Sequence, residues 1–274
     1  MVDPCGTIAL SVVAAAHNEQ DNVAELVQQT LAALEPALQH FEIVIVDDGS
    51  TDGTLSVLVQ LMRRHDRLRV IHMLDTPRRA GEGNGQSAAF WAGIRAARGE
   101  VIALIDADLQ NDPADIPALL ETLADSGADV VQGDRRASRR DSLVRQASSV
   151  VARVFRRWLL GDTIHDTGCS LRVLRREAAL ALPLQFRGMH RFIPLTCRQC
   201  GYRVLEQPVR HRPRTAGRSK YGIRNRALVG LIDCFAVRWM RSRRRSVAYK
   251  EVDPSGAVSP PATPSTETRE KATT

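Results

Sequence analysis

Three apolar segments in the first half of the chain each run directly into a cluster of acidic or amide side chains. Ile8 to Val13 leads to Asn18-Glu19, Phe41 to Val46 leads to Asp47-Asp48-Gly49-Ser50, and Val101 to Ile105 leads to Asp106-Ala107-Asp108. Short, β-branched-rich runs of this kind read as buried strands. Between them lie helical patterns. Asp21 offers an N-cap to a helix with Val23, Leu26, Val27, Leu31, Leu34 and Leu38 on one face. Further helices are expected around Leu55 to Arg64, Gln86 to Arg98 and Ile116 to Ala124, with strands at Leu68 to Leu74 and Val130 to Gly133. Strands alternating with helices predict an α/β fold, a Rossmann-like, mostly parallel sheet flanked by helices. Ligands of such sheets bind beyond the carboxyl ends of the strands, where these acids fall.

The second half is less regular. Arg135 to Leu160 reads as a basic helix or loop-helix, and Val204 to Pro208 as a strand. From Arg210 to Arg245 the chain is strongly basic, and an apolar stretch from Leu228 to Met240 lies inside that region, interrupted by Asp233 and Arg238. The tail beyond Val247 is rich in Pro, Ser, Thr and Ala without periodicity, which predicts disorder. The expected organisation is a catalytic domain over 1–209, a basic, partly amphipathic membrane-proximal extension over 210–246 and a disordered tail over 247–274.

A net charge of +7 and a pI near 9.6 point to an anionic partner. A basic nucleic-acid-binding protein is the alternative of another class, and the placement of charge opposes it, because carboxylates at strand ends repel a phosphate backbone unless a metal intervenes. The five cysteines, Cys5, Cys169, Cys197, Cys200 and Cys234, are odd in number and scattered, so they form no disulfide framework. One C-x-x-C pair, Cys197 to Cys200, does not fill a four-ligand zinc site, and a reducing compartment fits. No basic-then-apolar leader opens the chain, and no run of about 20 apolar residues spans a bilayer.

Each cluster has a modest reading alone. Asp106 and Asp108, at i and i+2 after a strand, can converge on one hard cation, with Gln110 adding a neutral oxygen. They can also be an Asx turn, and Asn111-Asp112-Pro113 resembles a helix start. The Asp47 to Gly53 turn can hold a base or ribose, or simply cap a helix through Ser50 or Thr51. Asn18-Glu19 alone is a solvated helix entry.

Taken in order, the clusters resemble glycosyltransferase family 2, with its GT-A fold. The resemblance rests on Ser11 to Glu19, Ile43 to Thr54 and Leu104 to Pro113. Asn84-Gly85-Gln86, Gly133-Asp134-Arg135, Asp166 to Arg172, His190 to Pro194 and Gly217-Arg-Ser-Lys-Tyr221 narrow it to the dolichol-phosphate mannose synthase branch of polyprenyl-phosphate transferases. It covers about residues 8 to 240. Three departures stand out. Ala15 replaces a proline, His17 replaces a tyrosine, and Thr76 to Gly83 is longer and more polar than the family pattern.

The resemblance implies that Glu19, Asp47, Asp48, Asp106 and Gln86 bind the nucleotide sugar, GDP-mannose first or a UDP-hexose. Asp106, Asp108 and Gln110 would hold Mg²⁺ or Mn²⁺. Asp108, Arg135 and Arg214 would be catalytic, and Arg135, Arg214, Ser219 and Lys220 would bind the acceptor phosphate. Asp166 would order this region. The implied reaction is an inverting transfer of a hexose to a polyprenyl phosphate by an enzyme held peripherally on the cytoplasmic face of the membrane. A family 2 transferase with a saccharide hydroxyl acceptor is the alternative, and it requires a carboxylate base beyond the metal site. A non-catalytic scaffold is a further alternative, which the intact acidic and arginine motifs oppose.

Overall fold

The computed structural model describes residues 8–74, 83–137, 143–212 and 223–245. Seven strands, β1 (Leu10–Ala16), β2 (Phe41–Asp47), β3 (Leu68–His72), β4 (Val101–Asp106), β5 (Val130–Asp134), β6 (Arg172–Arg175) and β7 (Val204–Pro208), form one sheet in the order β3-β2-β1-β4-β6-β5-β7. The β1–β2, β1–β4, β2–β3 and β5–β7 pairs are parallel, whereas β6 runs antiparallel to both of its neighbours. The expected GT-A-type arrangement, a mostly parallel sheet flanked by helices, is what forms. The central strands β1 and β2 are almost wholly buried, as strands covered on both faces must be.

Helices cover both faces. The apolar stripes of α1 (Val23–Leu34), α2 (Thr54–Met62) and α4 (Ile116–Ser126) enclose one core, with Leu26, Leu58 and Leu119 at its centre. The helices α3 (Gln86–Ala96), α6 (Arg176–Leu180) and α7 (Ile193–Gln199) pack on the opposite face around Phe90, Ile94 and Ile193. A β-carbon on Gly93 would lie 2.4 Å from Val13 Cγ1, so α3 touches the sheet because this position has no side chain. Two longer basic helices, α5 (Leu143–Leu160) and α8 (Ile223–Arg243), pack against each other.

Some expectations change. Asp21 does not cap α1. Asn22 holds the cap position without a side-chain cap bond, and the Glu19 carbonyl accepts from the Val23 N–H instead. Neither Ser50 nor Thr51 caps α2; Asp52 Oδ1 accepts from the Thr54 N–H at 3.0 Å. The Asp112 start is as expected, its carboxylate accepting from the Ala114 N–H at the head of a 3₁₀ turn over Pro113–Asp115. Strand β6 was not anticipated. It has four residues, two of them arginine, and Arg172 is among the largest fully buried side chains.

Candidate active site

The site forms where β1, β2 and β4 end. Their parallel register sets Ala15 beside both Val46 and Asp106, so the three turns that follow open on one edge. The β1 turn is laced to the β2 turn. Asn18, at a positive φ of 57°, accepts from the Thr51 N–H at 2.7 Å, and the Glu19 N–H donates to Thr54 Oγ1 at 2.9 Å. A short polar side chain with local bonds tolerates that left-handed backbone. The Glu19 carboxylate accepts from Asn22 Nδ2 at 2.6 Å.

Asp47 and Asp48 have separate tasks. Asp47 is fully enclosed; its Oδ2 lies 2.8 Å from His72 Nδ1 and its Oδ1 accepts from the Ser50 N–H at 3.3 Å. His72 is the strand partner of Asp47 across β2–β3, and its ring remains 44% exposed. Asp48 turns the other way. It accepts from the Asn84 N–H at 2.7 Å and the Gly85 N–H at 2.6 Å, while its carbonyl meets His17 Nδ1 at 2.7 Å. A β-carbon on Gly83, at φ +68°, would fall 2.6 Å from the Asp48 carbonyl oxygen, so the approach requires glycine. Asp48 therefore fixes the backbone that enters α3. That backbone delivers Gln86, whose Nε2 donates to Asp106 Oδ1.

Asp106 and Asp108 are close enough to repel. Burial first, and then the charge of Asp108, push the Asp106 carboxyl up to about 6, against a hydrogen bond from Ser170 and the positive charges of Arg172 and Arg135. Between Asp108 and Gln110, Leu109 takes a φ of +60°, a conformation that costs energy for a branched side chain. The turn folds back so that Asp108 Oδ1 accepts from the Gln110 N–H at 3.2 Å. Ser170 ties the turn down from behind, accepting from Asn111 Nδ2 at 2.7 Å.

Arg135 follows β5 and is nearly buried. Its Nε and Nη2 donate to the two oxygens of Asp166 at 2.8 and 3.1 Å, and its own N–H adds a third bond at 3.1 Å. Burial disfavours the guanidinium charge, but Asp166 outweighs this and holds its pKa above the ordinary value. Asp166 is held in turn. The Asp166 N–H donates to Glu206 Oε1 at 3.3 Å, and Gln132 Nε2 donates to the Asp166 carbonyl at 3.3 Å.

The chain returns to the carboxylates after β7. The Arg212 N–H donates to the Gln110 carbonyl at 2.9 Å, and Arg212 Nη2 meets Asp112 Oδ2 at 2.5 Å. Arg214, Ser219 and Lys220 lie outside the described residues, as do the tail and the longer segment from Thr76 as far as Glu82.

Several participants were not singled out from sequence. His72 sits at a strand end with no motif around it, and only the register opposite Asp47 identifies it. Ser170 and Arg172 belong to a motif read as a unit, yet their individual contacts required the fold. His190 is the third such residue. Its N–H donates to Ser87 Oγ at 3.1 Å and its Nδ1 lies 2.8 Å from the same oxygen. Burial first, then Arg191 and Arg172, lower its pKa to about 3, so the imidazole is neutral.

The donor set fits a hard divalent cation. Two carboxylates stand at one turn, and burial together with the charge of Asp108 pushes Asp106 up despite the positive charges of Arg172 and Arg135, a strain that a bound cation would relieve. Among the described residues no group of three or more His, Cys, Asp or Glu gathers as a metal cage. Mg²⁺-type sites do not need one, because they combine one or two carboxylates with substrate phosphates and water.

Sheet order, carboxylate turn and flanking helices define a GT-A-fold protein. The fold matches a mannosyltransferase from Pyrobaculum calidifontis solved with GDP-Man and Mn²⁺, with a TM-score of 0.61, 20% identity and coverage of 89% of this chain and 67% of that one. It also matches glucosyl-3-phosphoglycerate synthase from Mycobacterium tuberculosis with Mn²⁺ and UDP-Glc, with a TM-score of 0.60, 18% identity and coverage of 92% and 86%. The chain belongs to glycosyl transferase family 2, whose model matches residues 11–182.

Among curated relatives, an undecaprenyl-phosphate 4-deoxy-4-formamido-L-arabinose transferase from Edwardsiella ictaluri is 37% identical over 214 residues, 78% of this chain and 63% of the relative. A dodecaprenyl-phosphate galacturonate synthase from Rhizobium johnstonii is 36% identical over 249 residues, 89% of this chain and 70% of the relative. The chain therefore spans less than two thirds of the first of these proteins.

Proposed function

We propose that this protein transfers a sugar from a nucleoside-diphosphate donor to a polyprenyl phosphate, with inversion at the anomeric carbon, at the cytoplasmic face of a membrane. The observation that carries the acceptor reading is the 36% identity over 249 residues to a dodecaprenyl-phosphate galacturonate synthase. The relatives' sugars, a formamido-arabinose and a galacturonate, belong to those proteins. GDP-mannose and the UDP-hexoses are the donors to test first here.

On this reading Asp106, Asp108 and Gln110 hold Mg²⁺ or Mn²⁺ against the donor diphosphate. When bound, the cation would neutralise charge developing on the departing nucleoside diphosphate. The chain's own residues do the remainder. Gln86 orients Asp106 by a hydrogen bond. Arg135, held rigidly by Asp166, sets a permanent positive charge beside the carboxylates, where phosphate oxygens of donor or acceptor would sit. Arg214, Ser219 and Lys220 complete the acceptor-phosphate site. Glu19 and Asp47 serve the nucleoside, and Asp47, being enclosed, acts through the half-exposed ring of His72. Asp48 contributes by holding the loop into α3.

A phosphate-monoester oxygen forms the new bond to the anomeric carbon while the bond to the diphosphate oxygen breaks. Its second pKa is near 6, so it is largely ionised at neutral pH and needs no general base. Asp166 has both oxygens engaged by Arg135, so it is not free to serve as the base that a hydroxyl acceptor requires.

The test is a transfer assay with labelled GDP-mannose, UDP-glucose or UDP-N-acetylglucosamine, polyprenyl phosphate and Mn²⁺ or Mg²⁺, with Asp108→Ala as control. Label entering the lipid phase, and lost with the variant or a chelator, supports the reading and selects the donor. Metal-dependent nucleotide binding without lipid product from any donor sinks the lipid acceptor.

A further inference from the structure

Helix α8 exposes an unusual amount of apolar surface. A helix on the surface of a water-soluble domain turns apolar residues inward and charges outward. In α8 Cys234 and Val237 pack inward and Asp233, Arg238 and Arg241 bond the domain, yet a row of large apolar side chains is left in solvent. Asp233 pairs with Arg191 at 3.2 Å, and its carboxylate fills the space that a β-carbon on Gly188 would occupy. Arg238 Nη1 donates to the Leu159 carbonyl at 2.9 Å and Arg241 Nη1 to the Leu160 carbonyl at 3.2 Å, capping the carboxyl end of α5. Cys234 and Val237 are buried, but Ile232, Phe235 and Trp239 stand 59%, 56% and 63% exposed. These three lie at i, i+3 and i+7, one stripe of a helix.

Helix α5 repeats the pattern. Val150, Val154 and Trp158, at i, i+4 and i+8, form an exposed stripe that ends in Trp158 at 76%. Phe155 joins the two stripes, its ring centroid 6.1 Å from Trp158 and 6.2 Å from Phe235. The result is one apolar face bordered by exposed Arg157, Arg241, Arg243, Arg244 and Arg245. α5 contains no Asp or Glu, and the one acid of α8, Asp233, is turned inward.

We propose that this two-helix face docks the protein in the headgroup and upper acyl region of an anionic leaflet. Tryptophans at the end of each apolar stripe, with Arg157 before Trp158 and Arg241 after Trp239, match the layering of a bilayer interface, where amphipathic rings sit at headgroup depth and cations meet acidic lipids. Among the described residues no helix is long and apolar enough to cross a membrane, so the face lies on the surface. A second copy of the chain is a poor occupant, since two-fold pairing would set one arginine cluster against the other. The helix that carries the face also reaches towards the site from its inner side. Asp233 meets the turn that carries His190, and His190 bonds Ser87, the neighbour of Gln86. Phe186, 54% exposed, lies just ahead of that turn in the chain. The docking reading rests on the lipid-phosphate function for its purpose and deepens it, but it is measured without the acceptor.

The full chain is floated with phosphatidylcholine vesicles and with vesicles that also contain phosphatidylglycerol, neither holding polyprenyl phosphate. Binding to the acidic vesicles that weakens with salt is expected, with tryptophan emission quenched by brominated acyl chains. Trp158→Ser with Trp239→Ser should lower partitioning at least about tenfold, roughly the loss of one buried side chain's transfer energy. Leu180→Ser, on a different surface, should leave it unchanged. These are exposed positions, and matching thermal melts confirm that each variant folds. Unchanged partitioning in the double variant overturns the proposal. So does a wild-type dimer that ignores vesicles and becomes monomeric in the variant. Binding only when polyprenyl phosphate is present also overturns the face, yet leaves the acceptor reading standing. Vesicle binding without any transfer product has the reverse meaning.

Discussion

Removing the charge of Asp166 should destabilise the protein far more than its position in a loop suggests. Arg135 is 7% exposed and gives Asp166 three bonds of 2.8 to 3.1 Å. Asp166→Asn preserves shape and one acceptor oxygen but leaves the guanidinium short of its counter-charge. Breaking a buried ion pair from one side costs about 3–5 kcal/mol, mostly desolvation that is no longer offset. For a domain of this size that is a fall in Tm of roughly 6 to 20 °C. Arg135→Met in the same chain removes the stranded charge, so the double variant should recover at least about 1 kcal/mol relative to additivity. Urea titration followed by two probes, in wild type, both single variants and the double variant, gives the four free energies. A cost below about 1 kcal/mol for Asp166→Asn, or simple additivity in the cycle, would refute the reasoning. Stability and catalysis should separate in the double variant. It should fold well and transfer little, because the charge of Arg135 is then missing beside the carboxylates.

Asp48→Ala removes the acceptor of two backbone N–H bonds, each worth about 1.5–3 kcal/mol to a charged group. Faster hydrogen exchange at Asn84 and Gly85 is expected, and unchanged exchange there would refute the loop-anchor role. Glu42 gives a pH signature. Burial raises its pKa, but the Ser11 hydroxyl, Arg69 and the Arg98 N–H together hold it below the ordinary 4.5. A depressed carboxylate contributes stability that is present above the unfolded pKa and lost as pH falls through the folded one. Wild type should therefore lose stability below about pH 4.5 faster than Glu42→Gln, as measured by Tm against pH. Gly93→Ala forces a methyl group to within 2.4 Å of Val13 Cγ1. It should cost about 1–3 kcal/mol by overpacking, read from a denaturant midpoint.

Much of the site was legible in the sequence because the chemistry lies at strand ends, and strand ends can be read from local pattern. Asp47, Asp106 and Asp108 fell where an apolar run stopped, and a parallel sheet brings such stops to one edge. Partner assignments were not legible in the same way. Nothing near Asp48 in sequence indicates that its carboxylate grips a loop 36 residues on. Nothing near Asp47 selects the imidazole 25 residues away. Strand β6 escaped because a four-residue segment with arginine at each end carries no strand periodicity. Its Arg172 is tolerable in the interior only because the backbone carbonyls of Cys169, Ser170 and His190 converge on the guanidinium.

The sequence alone determined the alternating α/β architecture, the place of the carboxylates and the basic character of the later helices, since each depends on residues close together in the chain. Tertiary structure decided which acid is a ligand candidate and which is an anchor, because that depends on donors brought in from distant segments. It also decided which way α8 faces. Its apolar and charged residues are interleaved, and the bonds to Arg191, Leu159 and Leu160 together with burial of Cys234 and Val237 leave Phe235 and Trp239 outside.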